Sequence, residues 1–133
     1  MLTPVKLLLI DDQLSFVRGL TRLLQRDGYT VETAANGQEA LARLTAHPYD
    51  VLVCDLQMPA LDGRTFYGLL QRQFPLLAQR VLFVTGDTLG GDSTAFLAQC
   101  GQPYLYKPCT AAEVRSTLQL LLDPGSHLEH EAS

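Results

Sequence analysis

Two adjacent carboxylates, Asp11 and Asp12, directly follow the apolar run from Leu7 to Ile10. Like charges this close repel each other by roughly 1 kcal/mol in water and about 4 kcal/mol near a protein surface. A solvated turn is the ordinary interpretation of such a pair. A positive group held between the two acids is the alternative, and it depends on what other chemistry the chain brings to the same place.

Asp55, Thr85 and Lys107 each stand at the end of another short apolar run. Taken singly, each has an ordinary explanation, since threonine is a common strand residue and lysine a common surface charge. In an open parallel sheet, however, ligands collect beyond the carboxyl ends of the strands. If the sheet is doubly wound, these side chains and the acid pair converge on one rim.

Such a set of residues is suited to phosphoryl transfer. Mg²⁺ prefers carboxylate and carbonyl oxygens and often takes a substrate phosphate as a further ligand, so Asp11 and Asp12 would hold the metal. Asp55 is the candidate nucleophile, because a carboxylate can form an aspartyl-phosphate intermediate. Phosphoryl transfer depends mainly on positioning and charge stabilisation, so a metal, Lys107 and the Thr85 hydroxyl suffice without a general base.

Five β-type runs alternate with five helix-type segments, which predicts an α/β fold with a doubly wound five-stranded parallel sheet covered on both faces. The predicted strands are Val5–Ile10, Thr30–Ala34, Val51–Cys54, Val81–Thr85 and Tyr104–Tyr106. Four of the intervening segments carry apolar residues at helical spacing, which we interpret as core and not as binding surface. These residues are Phe16, Leu20, Leu23, Leu24, Leu41, Leu44, Phe66, Leu69, Leu70, Val114, Leu118, Leu121 and Leu122.

Helix starts are marked by capping-box spacing at Asn36 with Glu39 and at Thr110 with Glu113. The fourth helix, over 92–99, has the weakest pattern. It follows a glycine-bearing loop, residues 86–91, which lacks the lysine of a phosphate-binding loop and is interpreted as a flexible connection.

The composition predicts a single globular domain, residues 1–123, followed by a polar tail, residues 124–133. The chain is 47% hydrophobic and 18% charged, and its net charge of -4 disfavours a nucleic-acid partner. No apolar run is long enough to span a membrane, so we expect a cytoplasmic protein without a membrane partner.

His127 and His130 in the tail lack supporting ligands for a metal, and His47 is expected at the surface. The chain has an odd number of cysteines, Cys54, Cys100 and Cys109, and all three are expected to stay reduced.

Four motifs occur in order at fitting intervals: LLIDDQ, VLVCDLQMPALDG around Asp55, LFVTGD around Thr85, and PYLYKP around Lys107. On the basis of these four motifs, nearly the whole chain, about residues 5–122, resembles the response-regulator receiver domains of two-component signalling. The resemblance implies a flavodoxin-like sheet with strand order 2-1-3-4-5. It also implies a signalling module that catalyses its own Mg²⁺-dependent phosphorylation and dephosphorylation and is not a conventional enzyme.

The resemblance further implies that Asp55 accepts a phosphoryl group from a histidine kinase or a histidine phosphotransfer protein. Mg²⁺ would be bound by Asp12, Asp55 and the backbone carbonyl of Gln57, with Asp11 acting mainly through a metal-bound water. Lys107 would pair with the phosphoryl oxygens. The resemblance also implies that the Lys107–Pro108 peptide bond is cis.

The same resemblance makes Thr85 and Tyr104 the switch residues. Thr85 would hydrogen-bond to the attached phosphoryl group, and Tyr104 would turn inward when Thr85 moves. The switched surface would be the fourth helix, the fifth strand and the fifth helix, which would bind an output protein not named by the sequence or form a homodimer.

Three residues depart from the family pattern or add to it. Cys109 stands where phenylalanine is usual after Lys-Pro, Gly86 stands where alanine is common, and Asp87 adds an acid near the rim. Neither Cys109 nor Gly86 replaces a residue that takes part in the phosphoryl-transfer chemistry. Cys109 would fill less space at the start of the fifth helix, and Gly86 would leave the site more open.

Three alternatives remain at this point. The stretch from Gly86 to Pro108 also resembles receivers attached to hybrid histidine kinases, which relay or drain phosphate. A phosphate-independent interaction module would keep the fold without the switch, although all five rim residues are intact. A Mg²⁺-dependent phosphatase with an aspartyl nucleophile is disfavoured, because such enzymes carry an acid where this chain has Gln57.

Overall fold

The computed structural model describes residues 4–57, 61–86 and 91–123. Within them, five strands form one parallel sheet in the order β2-β1-β3-β4-β5. The strands are β1 (Lys6–Ile10), β2 (Thr30–Ala34), β3 (Val51–Asp55), β4 (Val81–Thr85) and β5 (Tyr104–Tyr106). The predicted doubly wound fold and its strand order are therefore confirmed, with β1 starting one residue later than predicted and β3 ending one residue later.

In the part of the chain that the structure describes, four helices connect consecutive strands and a fifth follows β5. They are α1 (Leu14–Arg26), α2 (Gly37–Ala46), α3 (Gly63–Gln73), α4 (Gly91–Cys100) and α5 (Ala111–Leu122). A single 3₁₀ turn, Leu77–Gln79, precedes β4 and was not predicted. Among the described residues, no helix has the length and apolar character that crossing a membrane requires.

The apolar core is divided by the sheet into two layers, because successive strand residues point to opposite faces. One face of β1 carries Leu8 and Ile10 into a cluster with α2, α3 and α4. The other face carries Leu7 and Leu9 into a cluster with α1 and α5. The central strands β3 and β4 are buried along their full length, which holds their carboxyl ends at fixed positions.

Two residues predicted as core lie outside both core clusters: Leu23 on α1, and Leu69 on α3, which is only partly buried. Leu23 is 41% exposed, whereas Val17, which the predicted stripe omitted, is buried. Val17, Leu20 and Leu24 line the inner side of α1, and Leu23 lies at the margin of that stripe. A helical repeat of 3.6 residues leaves the margin of an apolar stripe ambiguous.

The predicted helix caps form to different extents. Thr110 and Glu113 make a complete reciprocal capping box. The Asn36 side chain accepts from the Glu39 backbone N–H, as predicted. The Glu39 carboxylate, however, pairs with Arg43 at 3.6 Å. In both helices the N-cap side chain accepts from a backbone N–H that the start of the helix leaves without an intrahelical partner.

The loop after β3 is closed by a tight approach between backbone segments. Gly63 donates its N–H to the Leu56 carbonyl at 3.0 Å. A Cβ at Gly63 would lie 2.8 Å from the Leu56 Cα, which no real Cβ tolerates. Glycine is therefore required where α3 begins, because a side chain there would collide with the backbone of Leu56, the residue after Asp55.

The surface predictions are confirmed for His47, which is exposed at the end of α2. Cys54, Cys100 and Cys109 are free thiols. The polar tail, with His127 and His130, lies outside the described residues, as does Asp87.

Candidate functional site

Three carboxylates meet at the carboxyl edge of the sheet. Asp11 directly follows β1, Asp12 comes next, and Asp55 ends the neighbouring strand β3. One carboxylate oxygen from each residue lies within 4.8 Å of one from each of the others. Asp11 and Asp55 are buried, whereas Asp12 is exposed and faces the solvent side of the cluster.

The ammonium group of Lys107 lies beside two of these carboxylates. Lys107 follows β5, and its Nζ lies 2.7 Å from Asp11 Oδ2 and 3.6 Å from Asp55 Oδ2. The backbone supports this position, because the Lys107 N–H donates to the Thr85 carbonyl at 2.8 Å. The Lys107 side chain thus reaches from the end of the edge strand β5, past β4, to the two buried acids.

Backbone amides orient the two buried carboxylates. Asp11 Oδ1 accepts from the Gln13 N–H at 2.9 Å, and Asp55 Oδ1 accepts from the Gln57 N–H at 3.1 Å. In both residues the second oxygen, Oδ2, is the one nearer to Lys107. Each acid is therefore held by the first turn of the loop that follows its own strand.

The electrostatic balance of the site is visible in Asp55. Burial raises the pKa of its carboxyl from 3.8 to about 6. The Gln57 N–H and the Lys107 ammonium lower this pKa, whereas the negative charges of Asp11 and Asp12 raise it further. Three converging carboxylates therefore face too little positive charge, and a cation would relieve the repulsion.

An open cavity of about 840 Å³ gives access to these groups. Asp12, Asp55 and Lys107 are among its walls, together with Gln13, Ser15, Phe16, Gln57, Gly86 and Pro108. The cavity is open enough for a phosphoryl donor to approach Asp55. Gly86 is exposed at its rim and adds no side chain there, consistent with the expectation of an open site.

The donor set fits a hard divalent cation. Carboxylate oxygens are the ligands that Mg²⁺ prefers, and Mg²⁺ retains several waters, which an open, solvent-facing cluster allows. Asp11, Asp12 and Asp55 supply such oxygens, whereas no histidine or cysteine belongs to this group of described residues. The site is thus unlike a zinc site, which uses nitrogen and sulfur ligands.

Two groups that hold Lys107 were not foreseen as site residues. Gln13 Oε1 accepts a hydrogen bond from Lys107 Nζ at 3.0 Å, and the Phe16 ring centroid lies 4.5 Å from the same Nζ. Phe16 was predicted only as core, and it does pack against the cluster under α1 and α5. The one signal in the sequence was the position of Gln13, directly after the acid pair.

The two predicted switch residues lie on adjoining strands. Thr85 ends β4 and is fully buried, and its backbone carbonyl receives the Lys107 N–H. Tyr104 on β5 is 43% exposed, and its ring contacts Tyr106 edge to face with centroids 5.8 Å apart. Tyr104 therefore has the outward position from which the predicted inward turn would start.

The segment after Lys107 has the predicted backbone geometry. The Lys107–Pro108 peptide bond is cis. Cys109 is partly buried and packs against the cluster under α1 and α5. Burial and the nearby Glu113 raise the pKa of its thiol, whereas Lys107 lowers it.

Comparison with known proteins gives a consistent assignment. The sequence profile of the response regulator receiver domain matches residues 7–119. The transcriptional regulatory protein TrcR of Mycobacterium tuberculosis is 31% identical over 130 residues, which cover 98% of this chain and 50% of TrcR. The chain spans about half the length of the curated relatives it matches.

Solved structures agree with the profile. The chemotaxis response regulator CheY4 of Vibrio cholerae superposes with a TM-score of 0.80 at 32% identity, covering 90% of this chain and 100% of CheY4. The receiver domain of a signal transduction histidine kinase from Syntrophus aciditrophicus gives a TM-score of 0.81 at 25% identity, covering 90% and 91% of the two chains. The chain belongs to the family of response regulator receiver domains.

Proposed function

We propose that Asp55 is the residue on which this receiver domain accepts a phosphoryl group. The observation that carries the proposal is the meeting of Asp11, Asp12 and Asp55 within 4.8 Å, opposite the single ammonium of Lys107. Of the three acids, Asp55 is the one that is buried, ends a fully buried central strand and still lines the open cavity.

Transfer to Asp55 is a displacement at phosphorus. An oxygen of the Asp55 carboxylate attacks the phosphorus, the bond from phosphorus to the donor breaks, and the donor leaves with the bonding electron pair. With a pKa of about 6, the Asp55 carboxyl is largely ionised at neutral pH and can act as the nucleophile. Its fixed position at the end of β3 supplies the alignment on which such a reaction depends.

Asp11, Asp12, Asp55 and the backbone carbonyl of Gln57 are the proposed ligands of Mg²⁺. When bound, Mg²⁺ neutralises charge on the transferring phosphoryl group. Asp11 is already engaged by the Gln13 N–H and by Lys107, which supports a contact through water and not a direct one. Asp12 is exposed and available for direct contact.

Lys107 and Thr85 are proposed to stabilise the attached group. The Lys107 ammonium lies 3.6 Å from Asp55 Oδ2 and would pair with the phosphoryl oxygens. The Thr85 hydroxyl would donate to one of them, and Tyr104 would turn inward in response. The new charge would thereby bias an element with two arrangements, and so change partner binding on the surface of α4, β5 and α5.

The proposed partners are a histidine kinase or histidine phosphotransfer protein as donor and an output protein as receiver of the signal. The relative TrcR is named as a transcriptional regulatory protein. The proposal of no nucleic-acid partner therefore concerns only this chain, whose net charge is -4. A homodimer through α4, β5 and α5, a cytoplasmic location and no membrane partner complete the proposal.

A second candidate is a receiver that relays or drains phosphate for a hybrid kinase. The similarity to the Syntrophus aciditrophicus kinase receiver favours it, at 25% identity. TrcR and CheY4, at 31% and 32%, favour a response regulator with its own output. Both candidates use the same chemistry at Asp55.

The test is the intact mass of the protein after incubation with acetyl phosphate and Mg²⁺. We expect a gain of one phosphoryl group in the wild type and none in Asp55→Ala or in wild type with EDTA. Absence of any gain in the folded wild type would refute the proposal and favour a phosphate-independent module.

A further inference from the structure

Gln13 connects the acid pair to a residue that lies 94 positions later in the sequence. Its side-chain Oε1 accepts a hydrogen bond from Lys107 Nζ at 3.0 Å. Gln13 is exposed, whereas the Lys107 side chain is only 14% exposed. The glutamine amide therefore covers the solvent-facing side of the ammonium.

The contacts of this ammonium account for its orientation. A lysine ammonium has three N–H donors. Asp11 Oδ2 forms an ion pair with Nζ at 2.7 Å, but its geometry is not that of a hydrogen bond, whereas Gln13 Oε1 accepts a hydrogen bond from Nζ at 3.0 Å. The Phe16 ring lies against the same group at 4.5 Å. Asp55 Oδ2 lies 3.6 Å from Nζ, beyond hydrogen-bond distance but within the range of an ion pair.

We infer that Gln13 is a positioning residue for phosphoryl transfer, which it assists by holding the Lys107 ammonium with one N–H directed toward Asp55. The inference rests on the proposed role of Asp55 and adds to it a residue that is neither the proposed acceptor nor one of the proposed metal ligands. Asp11 alone would leave the ammonium free to rotate about a single strong contact. Gln13 supplies the second fixed point.

The substitution that isolates this role is Gln13→Met, which keeps the length of the side chain and removes the acceptor. We expect the rate of phosphorylation by acetyl phosphate with Mg²⁺ to fall about 3- to 10-fold, as for loss of one hydrogen bond of ordinary net strength at an exposed position. Gln25→Met is the matched control, since Gln25 is an exposed residue of the same helix region, at the far end of α1. Its rate should equal that of the wild type.

A positioning role also predicts how Gln13 and Lys107 depend on each other. In a Lys107→Met background, the further substitution Gln13→Met should have no effect on the rate, because the group it holds is gone. A general structural role of Gln13 would instead give the same loss in both backgrounds. Circular dichroism of every variant establishes that the fold is intact.

A second readout needs neither metal nor phosphoryl donor. Lys6 and Lys107 are the two lysines of the sequence, so trace acylation followed by peptide mass spectrometry reports each one separately. With Lys6 as the internal reference, Gln13→Met should raise the relative labelling of Lys107 about threefold or more, because the ammonium loses a hydrogen bond and its cover. Gln25→Met should leave the ratio unchanged.

The two readouts separate the inference from the proposal beneath it. If the wild type takes up no phosphoryl group, the role of Asp55 fails, and the labelling ratio still decides whether Gln13 holds Lys107. If the wild type is phosphorylated while Gln13→Met leaves both its rate and the labelling ratio unchanged, the inference about Gln13 is overturned. An equal loss of rate in the Lys107→Met background overturns it as well.

Discussion

Replacing Asp55 with asparagine should stabilise the metal-free protein, and the gain should depend on pH. Burial places the pKa of Asp55 at about 6 in the folded protein, against 3.8 as the ordinary value. The difference of about two pKa units corresponds to roughly 3 kcal/mol at 1.36 kcal/mol per unit. That energy opposes folding when the carboxyl must be ionised, and a neutral asparagine avoids it.

The sign follows from proton binding in the two states. Between pH 3.8 and about 6 the folded protein retains the Asp55 proton that the unfolded chain has released, so stability falls as pH rises through this window. The wild type therefore loses stability relative to Asp55→Asn from about pH 4 to pH 7, and above pH 7 the difference is constant. Loss of the charge facing Lys107 reduces the gain, so we expect about 1 to 3 kcal/mol at pH 8.

Urea unfolding in EDTA, followed by circular dichroism at several pH values between 4 and 8, measures this difference directly. Asp12→Asn is the control, because Asp12 is exposed and its replacement relieves repulsion without relieving burial. A thermal scan should show the same order, with a shift of about 4 °C per kcal/mol in a domain of this size. An Asp55→Asn protein that is less stable than the wild type at pH 8, or a difference independent of pH, would refute the reasoning.

Three further predictions concern the starts of α3 and α5 and the binding of Mg²⁺. Gly63→Ala should cost about 1–3 kcal/mol in urea unfolding, because its Cβ would meet the Leu56 backbone at 2.8 Å, whereas Gly68→Ala on the same helix should gain about 0.5–1 kcal/mol; equal effects would contradict the close approach. Thr110→Ala should lower the unfolding free energy by about 1 kcal/mol through loss of the capping box, and an unchanged thermal midpoint would contradict it. Mg²⁺ at 100 times its Kd should add about 2.7 kcal/mol of stability to the wild type, seen as a raised thermal midpoint; the same rise in Asp12→Ala at equal Mg²⁺ would contradict the assignment of Asp12 as a ligand.

The positions of the strand ends could be predicted from the sequence because β3 and β4 are unbroken apolar runs. A run of that kind has a definite end, and the polar residue that ends it must lie at the edge of the sheet. Asp55 and Thr85 were located in this way. Leu23 was misplaced because the edge of a helical apolar stripe does not separate a half-exposed leucine from a buried one.

The environment of Lys107 could not be predicted in the same way. Its contacts with Gln13 and Phe16 join residues about ninety positions apart, and they depend on how far a flexible side chain extends across the edge of the sheet. Periodicity describes which face a residue occupies but not which neighbour a long side chain reaches. Phe16 shows the consequence, because it follows the core pattern and also contacts the ammonium of the site.

The most direct test of the central claim is to locate the phosphoryl group. Borohydride reduces an acyl phosphate to the alcohol and leaves free carboxylates intact, so a phosphorylated aspartate becomes homoserine. After treatment with acetyl phosphate, Mg²⁺ and then borohydride, peptide sequencing by mass spectrometry should find homoserine at position 55 and aspartate at positions 11 and 12. Homoserine at position 11 or 12, or at none of the three positions, would contradict the assignment of Asp55 as the acceptor.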